Sequence, residues 1–186
     1  MRKLSFLFAV FALATLLMMS CKKDYQSITT EFISNLPDTC EVLVQVENGT
    51  EHFVYYKGKS CNSFYCYNAE TDKVEVINCP DMKERSLTPL YIGAGNENIM
   101  IGYMEDEHQL ETSVYTNACV QRYNLKTRSF KEFTTCNGIT FDYGKNQLLC
   151  ETYDTNRYGE GTRIDELYDF DGKLLSKKEV EVGAFD

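Results

Sequence analysis

The amino-acid sequence predicts an all-β domain of antiparallel four-stranded sheets in about three units. Three observations carry this. From about residue 39 apolar and polar residues alternate in short runs, Gly, Asn or Asp separates most of the runs, and one turn-like stretch recurs three times. Period-two alternation lines one face of a pleated strand, and helical spacing is hard to find over the same region.

Taken in order, Val42, Val44 and Val46 share a face and lead to Asn48-Gly49, the strongest two-residue hairpin signal, after which His52-Phe53-Val54-Tyr55-Tyr56 returns to Gly58. Asn62 to Tyr67 and Val74 to Ile77 form a second hairpin. Later runs are Leu90 to Ile92, Asn98 to Tyr103, Val114 to Tyr123, Phe130 to Thr135, Ile139 to Tyr143, Gln147 to Tyr153, Arg163 to Phe170 and Lys173 to Val182, roughly a dozen strands in all. The recurring stretch is Tyr67-Asn68-Ala69-Glu70-Thr71-Asp72-Lys73-Val74, then Tyr123-Asn124-Leu125-Lys126-Thr127-Arg128-Ser129-Phe130, then Tyr168-Asp169-Phe170-Asp171-Gly172-Lys173-Leu174-Leu175. Each copy reads as a strand end, a polar turn and a returning strand. Asn or Asp hydrogen-bonds the backbone of the turn it opens, and Gly172 tolerates a positive φ there.

The copies lie 56 and 45 residues apart, the length of one four-stranded propeller blade. The hairpins resemble the outer strands of kelch-like and other bacterial β-propellers over nearly all of the mature chain. The resemblance implies blade-like sheets arranged radially. No WD dipeptide or paired-glycine kelch signature is present, and propeller rings typically hold roughly four to eight blades. Three units therefore suit half of a six-bladed ring completed by a second chain, an incomplete gene product, or an open meander packed as a sandwich or barrel.

The amino-terminal segment is of another kind. Arg2 and Lys3 precede an apolar stretch from Leu4 to Leu17, broken only by Ser5 and Thr15, and Met18-Met19-Ser20-Cys21 then meets Lys22-Lys23-Asp24. The stretch is shorter than the ~20 residues of a spanning helix and reads as the apolar core of a secretory signal. Ser20-Cys21 after such a core resembles the signal of bacterial lipoproteins, although Met18 and Met19 stand where that family prefers Leu and a small residue. The resemblance implies a diacylglycerol on the Cys21 sulfur, cleavage just before Cys21, and acylation of the new amino terminus by a fatty acid such as palmitate. One acyl chain binds a membrane marginally and two hold it firmly. Under the enterobacterial sorting rule, Lys22 in place of Asp after the cysteine favours the outer membrane. The expected organisation is a signal peptide at 1–20, a lipidated tether at 21–38 and a single all-β domain at 39–186. Within the tether Ile28, Phe32, Ile33 and Leu36 suit one short helical turn or an added edge strand, and Pro37 ends either.

Without residues 1–20 the chain holds 17 Lys+Arg against 28 Asp+Glu, a net charge of −11. That disfavours nucleic acid, whose phosphates require clustered cations. Seven cysteines remain after Cys21, with no CxxC pair and only His52 and His108 as histidines, so zinc-site spacings are absent. Export permits disulfides, and folding the repeated turn back on itself pairs Cys61 with Cys79 and Cys119 with Cys136. Opposed Cα atoms ~4.5–5.5 Å apart lie inside the disulfide range of ~4.4–6.8 Å. Cys40, Cys66 and Cys150 are then left as thiols or as one further bridge.

No catalytic constellation is picked out, and no cofactor is implied. The histidines sit in polar, turn-like settings beside Glu51 and Glu107, and His108 in Glu105-Asp106-Glu107-His108 reads as a solvated loop. Asp154, Asn156, Glu160 and Asp165 resemble part of an EF-hand calcium loop, but the fifth place is Tyr158, the eighth is Gly161 and helical flanks are missing. A plain loop between strands is the better reading. Tyr and Phe are abundant and Trp is absent, which suits a sheet core more than a sugar platform. The expected function is a non-enzymatic, envelope-anchored domain that binds a protein or a glycan or pairs with a second copy. The alternative is an enzyme, or part of one, acting on an extracellular polymer such as a glycan.

Overall fold

The computed structural model describes residues 24–48, 51–105, 117–156 and 160–183. Its domain consists of three four-stranded antiparallel sheets, each a simple meander in chain order. The first holds β1 (Glu41–Asn48), β2 (Glu51–Lys57), β3 (Ser63–Asn68) and β4 (Lys73–Asn78). After a 3-10 turn at Lys83–Arg85, the second holds β5 (Leu87–Ala94), β6 (Asn98–Glu105), β7 (Ala118–Asn124) and β8 (Ser129–Cys136). The third holds β9 (Gly138–Asp142), β10 (Gln147–Thr155), β11 (Gly161–Asp169) and β12 (Leu174–Val182). The sheets are blade-like and do not close into a barrel, as the alternation and the repeat predict.

The sheets stack, with the second in the middle. Phe53, Tyr55 and Phe64 of the first sheet meet Ile92, Ile99, Ile101, Tyr103 and Tyr123 of the second in one apolar layer. Met100, Ala118 and Val120 meet Ile139, Phe141, Leu148 and Phe170 of the third in another. Covered on both faces, β6 is buried from Asn98 to Tyr103, which explains its unbroken apolar run. The fourth strands β4, β8 and β12 are largely exposed and carry the charged alternation. Glycines allow close approach at the second interface: a Cβ on Gly102 would lie 2.6 Å from Ile139 Cδ1, and one on Gly93 would lie 2.5 Å from the Phe170 ring.

Between residues 25 and 34 the chain forms a three-turn helix, α1 (Tyr25–Ser34), where one short turn or an edge strand is expected from sequence. Asp24 caps it by accepting from the Ser27 amide at 3.2 Å. Tyr25, Ile28, Phe32 and Ile33 fall on one helical face and pack, with Leu36, on Val54, Tyr56, Tyr67 and Ala69. Phe32 stacks on Tyr67 with ring centroids 3.7 Å apart. The helix therefore covers the face of the first sheet turned away from the second, the place a preceding blade would take.

Candidate functional site

The three copies of the repeated stretch are the turns between the third and fourth strands of the three sheets. Asn68 Oδ1 accepts from the amides of Glu70 (2.9 Å) and Thr71 (3.2 Å), Asn124 Oδ1 from Thr127 (2.8 Å), and Asp169 Oδ1 from Asp171 (3.1 Å) and Lys173 (2.8 Å). A left-handed residue follows in each: Asp72 (φ 53°), Arg128 (φ 52°) and Gly172 (φ 86°). The residue after each Asn or Asp is buried and donates its amide to the start of the second strand or the turn before it: Ala69 to His52 O, Leu125 to Glu97 O and Phe170 to Asn146 O. Its side chain points at the preceding layer. Ala69 meets α1, Leu125 the first sheet and Phe170 the second.

The next residue differs, and so do the two interfaces. Asp171 accepts at Oδ2 from the Asn96 amide (3.0 Å) and at Oδ1 from those of Glu97 (2.7 Å) and Asn98 (3.1 Å), while Asn98 Nδ2 donates to Asp171 O at 3.0 Å. Only glycine fits beneath this clasp, because a Cβ on Gly95 would lie 2.3 Å from Asp171 Oδ1. The corresponding residue of the second sheet is Lys126, and there the two sheets leave a cleft of about 650 Å3. Glu47, Glu51 and Phe53 line one wall, and Glu97, Lys126 and Arg128 are on the other. Arg128 lies over the Phe53 ring at 5.4 Å and pairs with Glu75 across the interface. Repetition of the turn was visible in the sequence, but the cleft it frames was not, since it depends on how neighbouring sheets meet.

At the opposite end, Arg85, Cys119, Cys136, Asn137 and Thr152 line a cavity of about 500 Å3 between the second and third sheets. All seven described cysteines are thiols. The structure brings Cys61 and Cys79 together: the Cys79 amide donates to Asn62 O at 2.9 Å, and its thiol donates to Cys61 O at 3.4 Å. Burial, with Cys61 adding to it, pushes the Cys79 thiol up to about 12. The expected pairing of Cys119 with Cys136 fails. The turn closes on Asn124 and Ser129, and a bulge adds Phe133 to the exposed strand, so Cys119 faces Thr135 and Cys136 faces Ala118. Cys119 points to the first interface and Cys136 to the second, the consequence of a one-residue offset in a structure of period two. Cys136 instead meets Cys150, whose thiol donates to it and holds it below the usual thiol range.

The oxygen residues of the calcium-like stretch are not gathered into one cage. The Asn156 amide donates to Glu160 O (2.9 Å), and the Glu160 amide donates to Asn156 Oδ1 (3.2 Å), closing the hairpin of β10 and β11. Asp154 faces Thr162 in the strand pairing whereas Asp165 faces Glu151, an odd step away, so the two carboxylates point to opposite faces. Asp165 is ion-paired with Arg163 at 2.7 Å. His52 stacks on Tyr25 at 4.8 Å, while Cys21, His108 and the signal-like segment lie outside the described residues. No group of three or more His, Cys, Asp or Glu placed to hold a metal occurs among the described residues, and no helix among them is long and apolar enough to cross a membrane. No protein-family model matches the chain, nor does any curated protein.

Proposed function

We propose that the chain is an envelope-anchored lipoprotein whose mature part presents a propeller-like domain for binding a protein or a glycan. The anchor rests on Cys21 and the segment before it, with the outer membrane favoured by Lys22. Recognition rests on one observation: a packed stack of sheets carries, between two of its turns, a cleft with an aromatic wall and charges of both signs. Turns on a fixed scaffold and concave sites with a few convergent polar groups are where ligands bind. The first sheet is sealed by α1, while no described helix covers the outer face of the third, where Leu149, Leu167 and Val180 surround the Arg163 ion pairs. Self-association belongs at that face. Protein made in an exporting bacterial host is expected to sediment with membranes and to give an acylated amino-terminal peptide beginning at Cys21. Cys21→Ala is expected to stay unprocessed or to leave the membrane, and a soluble, unmodified wild type would end the proposal.

The convergence of Glu47, Glu51 and Glu97 on the cleft favours a second reading, hydrolysis of an extracellular glycan, in which paired carboxylates act as acid and base. The two readings separate cleanly. Release of reducing ends from envelope polysaccharide by the wild type, lost in Glu47→Gln, Glu51→Gln or Glu97→Gln, supports the enzyme. Retention of the same polysaccharide without release, weakened by Lys126→Glu, supports the binding domain.

A further inference from the structure

We propose that Cys136 and Cys150 form a reactive dithiol site that takes a low-molecular-weight disulfide in the cavity between the second and third sheets and is converted by it to a bridge joining the two sheets. Cys136 ends β8 and lines the cavity of about 500 Å3, a volume suited to a small molecule. Cys150 lies behind it in β10, fully enclosed in the same apolar layer. One thiol is thus reachable and the other stands in reserve. Such a pair meets the needs of thiol–disulfide exchange, a nucleophile at an opening and a resolving thiol in contact with it.

The electrostatics agree with the geometry. Cys136 is favoured as thiolate by the hydrogen bond from the Cys150 thiol and by the amides of Glu151 and Gly138, against burial. Cys150 is driven the other way by the same hydrogen bond and by burial. The other charged or titratable groups close to the pair are Glu151 of β10 and Glu166 and Tyr168 of β11, and Arg85 at the cavity wall is itself paired with Glu132 at 3.0 Å. At the first interface the contrast is plain, because both Cys61 and Cys79 are pushed upward by burial. In the reaction the Cys136 thiolate attacks one sulfur of the disulfide, forming a mixed disulfide and expelling the other half as a thiolate, which takes the Cys150 proton. Cys150 sulfur then attacks Cys136 sulfur and expels the second half as a thiolate, which is protonated from solvent. The protein loses two electrons, and the small disulfide is reduced to two thiols. Membrane attachment plays no part in this chemistry, so its test stands apart from that of the anchor.

The reduced wild type is titrated with oxidised glutathione and mapped by non-reducing peptide mass spectrometry. The first bridge to form is expected to be Cys136–Cys150. Without oxidant, site-resolved alkylation at neutral pH is expected to modify Cys136 roughly tenfold faster than the more exposed Cys61, with a midpoint below the ordinary thiol range. Cys150→Ser, checked for fold by circular dichroism, is expected to hold the glutathione adduct on Cys136. If that variant does not fold, the two wild-type measurements decide. Bridging first at Cys61–Cys79, or alkylation of Cys136 no faster than of Cys61, would overturn the proposal.

Discussion

The interface between the first and second sheets and that between the second and third are built from the same turn, yet one is open and the other is clasped. The acceptor at the start of the turn, the buried residue after it and the left-handed residue near its end are shared. One step further along, Lys126 leaves a cleft of about 650 Å3 where Asp171 holds three amides of the neighbouring turn. Beside this cleft the charged tether between the two sheets is Arg128 with Glu75, whose side chains are 38% and 62% exposed. Exposed pairs contribute roughly 0–1 kcal/mol, whereas hydrogen bonds to a charged acceptor contribute about 1.5–3 kcal/mol. A repeated local motif thus fixes the turn of each sheet, and a single side chain decides whether, at this end, the turn is clasped to its neighbour or leaves a cleft.

The largest effect that sharpens this comparison is expected from the buried residue of the turn. Phe170→Ala removes a ring that is 2% exposed and contacts Gly93, and urea denaturation should show a loss of about 3–5 kcal/mol. Leu125→Ala, the same change at the open interface, removes a smaller side chain that is 6% exposed and should cost about 2–3 kcal/mol. Equal losses would show that the two interfaces are packed alike. Next in size is Asp171→Ala, which removes the acceptor of three amides, two of them open to water, and should cost about 1–2 kcal/mol. Lys126→Ala should stay within about 0.5 kcal/mol, as exposed substitutions do.

The smallest effect concerns the third sheet's own surface. Lys177 and Tyr168 hold the Glu166 carboxyl below its ordinary range through hydrogen bonds, Lys177 Nζ at 2.7 Å. Since the folded state favours the charged carboxylate, this contribution is present above the unfolded pKa and is lost as pH falls through the lower folded one. Lys177→Ala should therefore cost about 0.5 kcal/mol near neutral pH, with Lys177 56% exposed, and nothing once Glu166 is protonated. A difference that persists unchanged in acid would assign the effect to packing.

Sheet structure was legible because period-two alternation and Asn- or Asp-led turns are local, and the recurrence at Tyr67, Tyr123 and Tyr168 located the same turn in each sheet. The α1 helix is longer than its sequence suggests because Thr29 and Thr30 weaken helix propensity, while its support, Phe32 against Tyr67, is a tertiary contact. Cysteine pairing failed at Cys136 because the Phe133 bulge and the closing pair of the turn are invisible to spacing alone. Contact of Cys136 with Cys150 and the cleft at Lys126 arise between sheets, where the sequence carries no periodic signal.

The clasp by Asp171 is tested most directly by amide hydrogen exchange at Asn96, Glu97 and Asn98 in the wild type, Asp171→Ala and Lys126→Ala. Slow exchange at these three amides in the wild type and Lys126→Ala, with fast exchange confined to this turn in Asp171→Ala, is the predicted result. Fast exchange already in the wild type, or no change on removing the carboxylate, would contradict it.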